Sequence, residues 1–173
     1  MKQYTENNMT IDKININEKD KIKELSVFAS NIVKEYFDPI IGSSQNDYMI
    51  EKFQSVKSIT SQLNDGYDYY FVLDDFNERI GFIAFYPKGE CMYLSKFYLG
   101  KDNRGKGYSK EMLDFIIDKA RMCGLKGVTL NVNKNNPVIN VYEHFGFVKI
   151  REEKNDIGSG FYMDDFVYRY EIV

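Results

Sequence analysis

The spacing of apolar residues along this chain changes several times, and each change marks an element. In "IDKININ", Ile14 and Ile16 alternate with polar neighbours, the two-residue period of a strand with one covered face. Ile22, Leu25, Ala29, Ile32, Val33 and Tyr36 then recur every three or four residues. That predicts a helix, which "DP" at Asp38-Pro39 stops because a residue before proline is pushed out of helical geometry. A second helix is expected over about 47–63, with Met49, Ile50, Phe53, Val56 and Ile59 as one stripe and "NDG" as its end. From Tyr67 the pattern shortens. "YDYYFVL", "RIGFIAFY" and "CMYLSKFYL" read as strands joined by the turns "DDFNE" and "PKGE", an antiparallel meander.

Beyond the meander the order becomes strand, helix, strand. The helix carries Tyr108, Met112, Phe115, Ile116, Lys119 and Ala120, and "GVTLNVN" places Val128, Leu130 and Val132 on one face. Such a unit implies a parallel strand pair with a right-handed crossover. A short helix "PVINVYEHF", a strand "GFVKIRE", a polar turn "EKNDIGSG" and a last strand "FYMDDFVYRYEIV" complete the chain. The fold class expected is α/β with a mixed sheet and helices on both faces. One domain is expected over residues 9–173, preceded by a loose polar leader at 1–8.

Composition narrows the partners. With 173 residues, a net charge of −3 and 28% charged side chains, the chain lacks the basic face that nucleic acid requires. The longest apolar run, around "IGFIAFY", is far below the ~20 residues that span a bilayer, and the opening "MKQYTENNMTIDKI" holds no secretory core. A cytoplasmic protein without membrane partners is expected, as a monomer or homodimer. Cys91 and Cys123 stand apart with no CxxC, so both are read as free, partly buried thiols of a reducing compartment. No metal is expected, and His144, the lone histidine, is read as a surface residue.

The stretch "GKDNRGKGYSK" at 100–110 carries the chemistry. Gly100, Gly105 and Lys106 match G-x-x-x-x-G-K, the opening of a nucleotide loop, but Gly107 stands where a magnesium-binding hydroxyl belongs. The preceding strand is also part of a meander. The dinucleotide pattern G-x-G-x-x-G fails too, because Lys110 occupies its third glycine. Physically the stretch still suits an anion. A helix start leaves backbone N–H groups unpaired and partly positive, and glycines let a phosphate approach them. Lys101, Arg104, Lys106 and Lys110 add charge.

Arg104-Gly105-Lys106-Gly107-Tyr108-Ser109 resembles the R/Q-x-x-G-x-G/A loop of the GNAT superfamily of acetyl-CoA-dependent N-acyltransferases. "NNPVINVYEHFGF" resembles its second motif, N-x-x-A-x-x-x-Y followed by G-F, with Asn135 and Tyr142 on the fixed positions. Ser109 and Val138 depart from the pattern by small changes of size. The two motifs and the helix and strand between them cover about residues 67–150.

The resemblance implies acetyl-CoA as co-substrate, held by Phe97, Tyr98, Leu99, Arg104, Gly105, Lys106, Gly107, Tyr108, Ser109, Asn135 and Tyr142. Its pantetheine arm would pair with the strand edge at 97–99, opposite "LNV" at 130–132, and a backbone N–H near Phe97 would polarise the thioester carbonyl. Tyr142 is the candidate acid for the departing thiolate, although Val138, Val141, Tyr142 and Phe145 also form one packing stripe. The family's usual glutamate position falls on Tyr93, so the base is left to a water chain or a residue of the last strand.

The acceptor side would be built by about 36–47 and 156–166. The terminal "DIGSGFYMDDFVYRYEI" resembles the hairpin of bacterial polyamine N-acetyltransferases, which implies spermidine or spermine as the primary amine. Asp164 or Asp165 would then bind a distal ammonium; they point to opposite faces, so at most one can. Three alternatives stay open at this point: a peptide or protein acetyltransferase, a noncatalytic acyl-CoA-binding module, and a nucleotide-dependent phosphotransferase.

Overall fold

Tyr69, Tyr70, Phe71 and Val72 are all buried, which consecutive strand residues achieve only where both faces of a sheet are covered. In the computed structural model, which describes residues 9–173, they belong to β2 (Asp68–Leu73). β2 lies in a seven-stranded sheet with β1 (Thr10–Ile14), β3 (Arg79–Lys88), β4 (Cys91–Leu99), β5 (Gly127–Asn133), β6 (Val148–Gly158) and β7 (Phe161–Glu171). The order is β1-β2-β3-β4-β5-β7-β6. Every pair is antiparallel except β4–β5, which is parallel.

One face packs against α1 (Lys19–Ile41) and α3 (Val56–Asn64), where Leu25, Ala29 and Ile59 meet Tyr69, Phe71 and Phe82. The other packs against α4 (Tyr108–Met122) and α5 (Ile139–Phe145), where Met112, Ile116 and Tyr142 meet Tyr70, Ile83 and Val128. This is the mixed sheet with helices on both faces that the periodicity predicts. The leader expected at 1–8 lies outside the described residues. Among the described residues, no helix is long and apolar enough to cross a membrane.

The boundaries differ where local chemistry overrides pattern. Helix α1 does not stop at Asp38; it runs past Pro39 to Ile41. Proline in the last turn forfeits a single backbone bond, and the helix closes instead on Gly42, whose N–H donates to the Asp38 carbonyl at 3.0 Å. The single second helix is two. α2 (Ser43–Gln54) ends at Ser55, which is extended and caps α3 by accepting from the Ser58 N–H at 3.2 Å. The expected stripe therefore breaks: Val56 is exposed, while Asn46 and Gln54 are the residues α2 buries.

β6 is longer than expected. It continues through "EKND" to Gly158, paired with β7, and only 159–160 turn. As the sheet edge it is exposed on both faces, so no alternation betrays it. Ile16 lies beyond β1 and is exposed, Cys91 is buried, and Cys123 is exposed rather than partly buried.

Two irregularities of β4 shape the molecule. Against β3, Lys96 pairs with Ala84 but Leu94 with Phe85, which leaves Ser95 as an extra residue, a β-bulge. The bulge reverses the side-chain parity. Met92 and Leu94 face the α4 layer before it, and Phe97 and Leu99 face that layer after it, while Tyr98 turns to the α1 layer. Against β5, pairing stops early: Cys91, Met92 and Tyr93 match Gly127, Val128 and Thr129, and nothing beyond. β5 stays paired with β7 over its whole length, so β4 and β5 splay apart.

Candidate active site

The splay opens a cleft of about 420 Å³ between Leu94–Leu99 on one side and Asn131–Asn133 on the other. At one end stands the glycine loop. Gly105 and Gly107 have left-handed φ values of 76° and 88°, and Gly107 precedes the first residue of α4. A β-carbon on Gly105 would project into open space, so the backbone there presents an uncovered concavity to whatever enters. The start of a fifteen-residue helix suits a phosphate. The loop therefore fits the pyrophosphate of acetyl-CoA.

Arg104 is engaged within the fold as well as lining the cleft. Its Nε donates to the Leu99 carbonyl at 3.1 Å, and its guanidinium pairs with Glu35 at 3.4 Å over the Tyr36 ring. It fastens the loop to α1. Phe97, Tyr98, Leu99, Gly105 and Ser109 also line the cleft. Lys106, Gly107 and Tyr108 belong to the loop and helix start without lining it, and the Tyr108 side chain is buried in the α4 core.

Asn135 is exposed and lies off the cleft wall; its neighbour Asn136 is buried on it. The Asn136 amide oxygen accepts from the Val138 N–H at 2.9 Å and from the Tyr36 hydroxyl. It thereby ties the entry of α5 to α1. Sequence spacing points at Asn135 because the motif counts from it, but the backbone turns Asn136 inward.

Tyr142 reaches the cleft from α5 with 5% of its surface exposed. Its ring lies 5.6 Å from Phe97 and 5.5 Å from Phe147. Burial pushes its phenol well above the ordinary value, with Tyr98 and Tyr36 adding to the rise. The phenol is thus held protonated and has an O–H to donate. His144 is exposed, as read.

At the far end the two predicted acceptor segments meet. Tyr36, Phe37, Ile41 and Gln45 from α1 and α2 face Met163 and Asp165 from β7. Gln45 Nε2 and Tyr48 Oη clamp the terminal hairpin by donating to the carbonyls of Tyr162 and Ile157, both at 2.6 Å. Of the two aspartates, Asp164 pairs outward with Lys134 at 3.1 Å, and Asp165 points in with 2% exposure. Burial raises the Asp165 carboxyl to about 6, opposed by a hydrogen bond from Asn131. Asn131 accepts from Tyr93 Oη at 3.0 Å and donates to Glu153 at 2.9 Å. Tyr93, at the family's glutamate position, thus helps to orient the amide beside Asp165. Asp165 is the only carboxylate on the cleft wall among the described residues.

Comparison with known proteins agrees with this geometry. The family model described as "Acetyltransferase (GNAT) family" matches residues 30–147. The fold superposes on the PaiA N-acetyltransferase from Thermoplasma acidophilum, solved in complex with coenzyme A, with a TM-score of 0.73 and 18% identity over 95% of this chain and 99% of that one. A GNAT-family acetyltransferase from Staphylococcus aureus Mu50 gives 0.65 and 21%, covering 94% and 98%. A spermidine N-acetyltransferase from Vibrio cholerae gives 0.61 and 18%, covering 94% and 93%. No curated protein matches. At such identities the structures speak for the fold alone, but the family model covers more than half of the sequence: this chain belongs to the GNAT family of acetyltransferases.

Proposed function

We propose that the protein moves an acetyl group from acetyl-CoA to a primary amine of a small molecule, a polyamine of the spermidine or spermine class. The observation that carries this reading is the continuous cleft from the glycine loop, past Phe97 and Tyr142, to the buried Asp165. A cationic acceptor fits its far end, because an ionised carboxylate in an apolar wall is costly until a cation neutralises it. Asp165 therefore does more than the rim contact expected from sequence. It receives the ammonium form, orients it, and is ionised above about pH 6 to take up the proton that the amine must shed. The exposed strand edge of β4 receives the pantetheine amides, and the backbone N–H near Phe97 stabilises charge on the thioester oxygen. Tyr142 donates toward the sulfur.

Residues 9–173 act as one catalytic domain in this reading, cytoplasmic, as a monomer or homodimer. A thiol-release assay with acetyl-CoA tests it, against spermidine, spermine, shorter diamines and peptides with free α-amines. Release with the aliphatic amines and none above background with peptides is the expected pattern. The reverse pattern makes the protein a peptide acetyltransferase, and no release with any amine makes it an acyl-CoA-binding module.

The loop supplies a separate check. Gly107→Ala places a β-carbon where φ is 88°, a strain of about 1–2 kcal/mol that would shift the loop backbone next to Gly105 and the start of α4. Calorimetry should show at least a ~10-fold loss of acetyl-CoA affinity in a protein that still unfolds cooperatively. Unchanged affinity would remove the loop from the cofactor site.

A further inference from the structure

The helix that carries Tyr142, α5, has seven residues, and its N-cap residue, Val138, makes no side-chain capping bond. A helix this short is marginal on its own, so its surroundings decide where it stands. Its first bonds end on the Val138 carbonyl, which accepts from the Val141 and Tyr142 N–H groups at 2.9 and 3.2 Å. Val138 is held in turn through its own N–H, which donates to Asn136 Oδ1 at 2.9 Å. The same oxygen accepts from the Tyr36 hydroxyl. Both lone pairs of that one oxygen are thus engaged, one by the entry of α5 and one by α1.

Tyr36 has a second anchor. The Arg104 guanidinium lies over its ring at 4.8 Å and is itself fixed to the Leu99 carbonyl and to Glu35. Leu99 ends β4 and Asn136 follows β5, the two strands whose mutual pairing stops at Tyr93 and Thr129. Tyr36 therefore links the two walls that the sheet leaves unjoined. It lines the same cleft as Asn136 and Tyr142.

Taking as its basis the reading of Tyr142 as donor to the sulfur, we infer that Tyr36 is a positioning residue for acetyl transfer. Through Asn136 its hydroxyl sets where α5, and with it the Tyr142 phenol, stands against the opposite wall of the cleft. Without that hydroxyl the Asn136 oxygen keeps its bond to Val138 and loses its tie to α1, so the start of α5 is free to drift. A misplacement of about 1 Å at a reacting group can cost as much as ~10²-fold in rate. Tyr36 makes no contact with the reacting atoms in this role; it acts through Tyr142.

The test is a double-mutant cycle read by thiol release. Tyr36→Phe removes the hydroxyl and keeps the ring that Arg104 covers. It should lower kcat ~10-fold and leave KM for acetyl-CoA and for the amine nearly constant. Combined with Tyr142→Phe it should add nothing, because a phenol that is absent cannot be misplaced: the double variant should turn over as slowly as Tyr142→Phe alone. Asn136→Ala, which removes the other half of the tie, should show the same loss and the same lack of additivity. A residue that only supports the fold, or one that binds the amine, gives losses that multiply with that of Tyr142→Phe, and the second also raises the amine KM. Multiplying losses overturn the inference, and so does wild-type kcat in the Tyr36→Phe protein. If Tyr142→Phe itself turns over at the wild-type rate, the reading of Tyr142 as donor falls and the role of Tyr36 falls with it. A wild-type protein that acetylates no amine removes the acetyltransferase reading beneath both.

Discussion

Replacing Asp165 by Asn is expected to lower kcat/KM for the amine by ~10²-fold and to make the protein more stable at neutral pH. The two effects share one cause. The carboxylate is 2% exposed and its pKa is raised from 3.8 to about 6 mainly by burial, so folding works against its ionised form. For an acid raised in this way, the folded state binds more protons than the unfolded state between those two values. Stability therefore falls as pH rises through that window, and the penalty is complete above about pH 6. Two pKa units correspond to at most about 3 kcal/mol. Asn carries no such penalty and can still accept from Asn131. Thermal melts should accordingly show Asp165→Asn ahead of wild type by several degrees at pH 7.5 and level with it below pH 4.

Activity moves in the opposite direction. A charge-assisted hydrogen bond between the carboxylate and an incoming ammonium contributes roughly 1.5–3 kcal/mol, which is 10- to 100-fold in kcat/KM. Loss of the proton acceptor adds to it. The wild-type kcat/KM for the amine should fall as pH drops through about 6, and the Asn variant should lose that limb of the profile. An Asn variant that is no more stable than wild type and fully active would mean that Asp165 is an ordinary core residue, and the acceptor end would have to be sought elsewhere.

The sequence carried the fold well because most of it obeys simple periods. β2, β3 and α4 announce themselves through Tyr69–Val72, Ile80–Phe85 and the helical stripe Met112, Ile116 and Ala120, all buried where the pattern assigns them. The glycine loop and Tyr142 were legible because their chemistry needs particular residues at a fixed spacing. What escaped depends on single backbone events. Periodicity cannot see the bulge at Ser95, yet that bulge alone decides that Lys96 turns to the α2–α3 joint and Phe97 toward the cleft. The capping of Ser58 by Ser55 splits one helix into two and frees the Phe53 carbonyl for Lys96. Alternation shows that Asp164 and Asp165 part company, but only pairing with β5 and β6 tells which one is inside. Asn136 and not Asn135 lines the cleft, a difference of one residue that arises in a turn, since no side-chain period runs through it.

Tyr142→Phe should keep acetyl-CoA affinity and lower turnover by ~10²-fold. The ring lies among Phe97, Phe147 and the α4 core, so Phe preserves the apolar contacts and the packing of α5. What is lost is one hydroxyl of a buried side chain on the cleft wall. Its raised pKa defines the role more closely. A thiol has an ordinary pKa of ~8.5 and a phenol one of ~10, so full transfer of the proton from a buried tyrosine to a relaxed thiolate runs uphill. The useful moment is earlier, while charge is building on the sulfur as its bond to carbon lengthens. A hydrogen bond donated then strengthens with the charge and lowers the barrier without tighter binding of the ground state. The expected signature is therefore a fall in kcat with KM for acetyl-CoA nearly constant. It should also depend on the leaving group. An acyl donor with a more acidic thiol needs less help, so the gap between wild type and Phe should narrow with such a donor. Equal turnover in the two proteins would show that Tyr142 only packs, and a gap indifferent to thiol acidity would place its hydroxyl away from the sulfur.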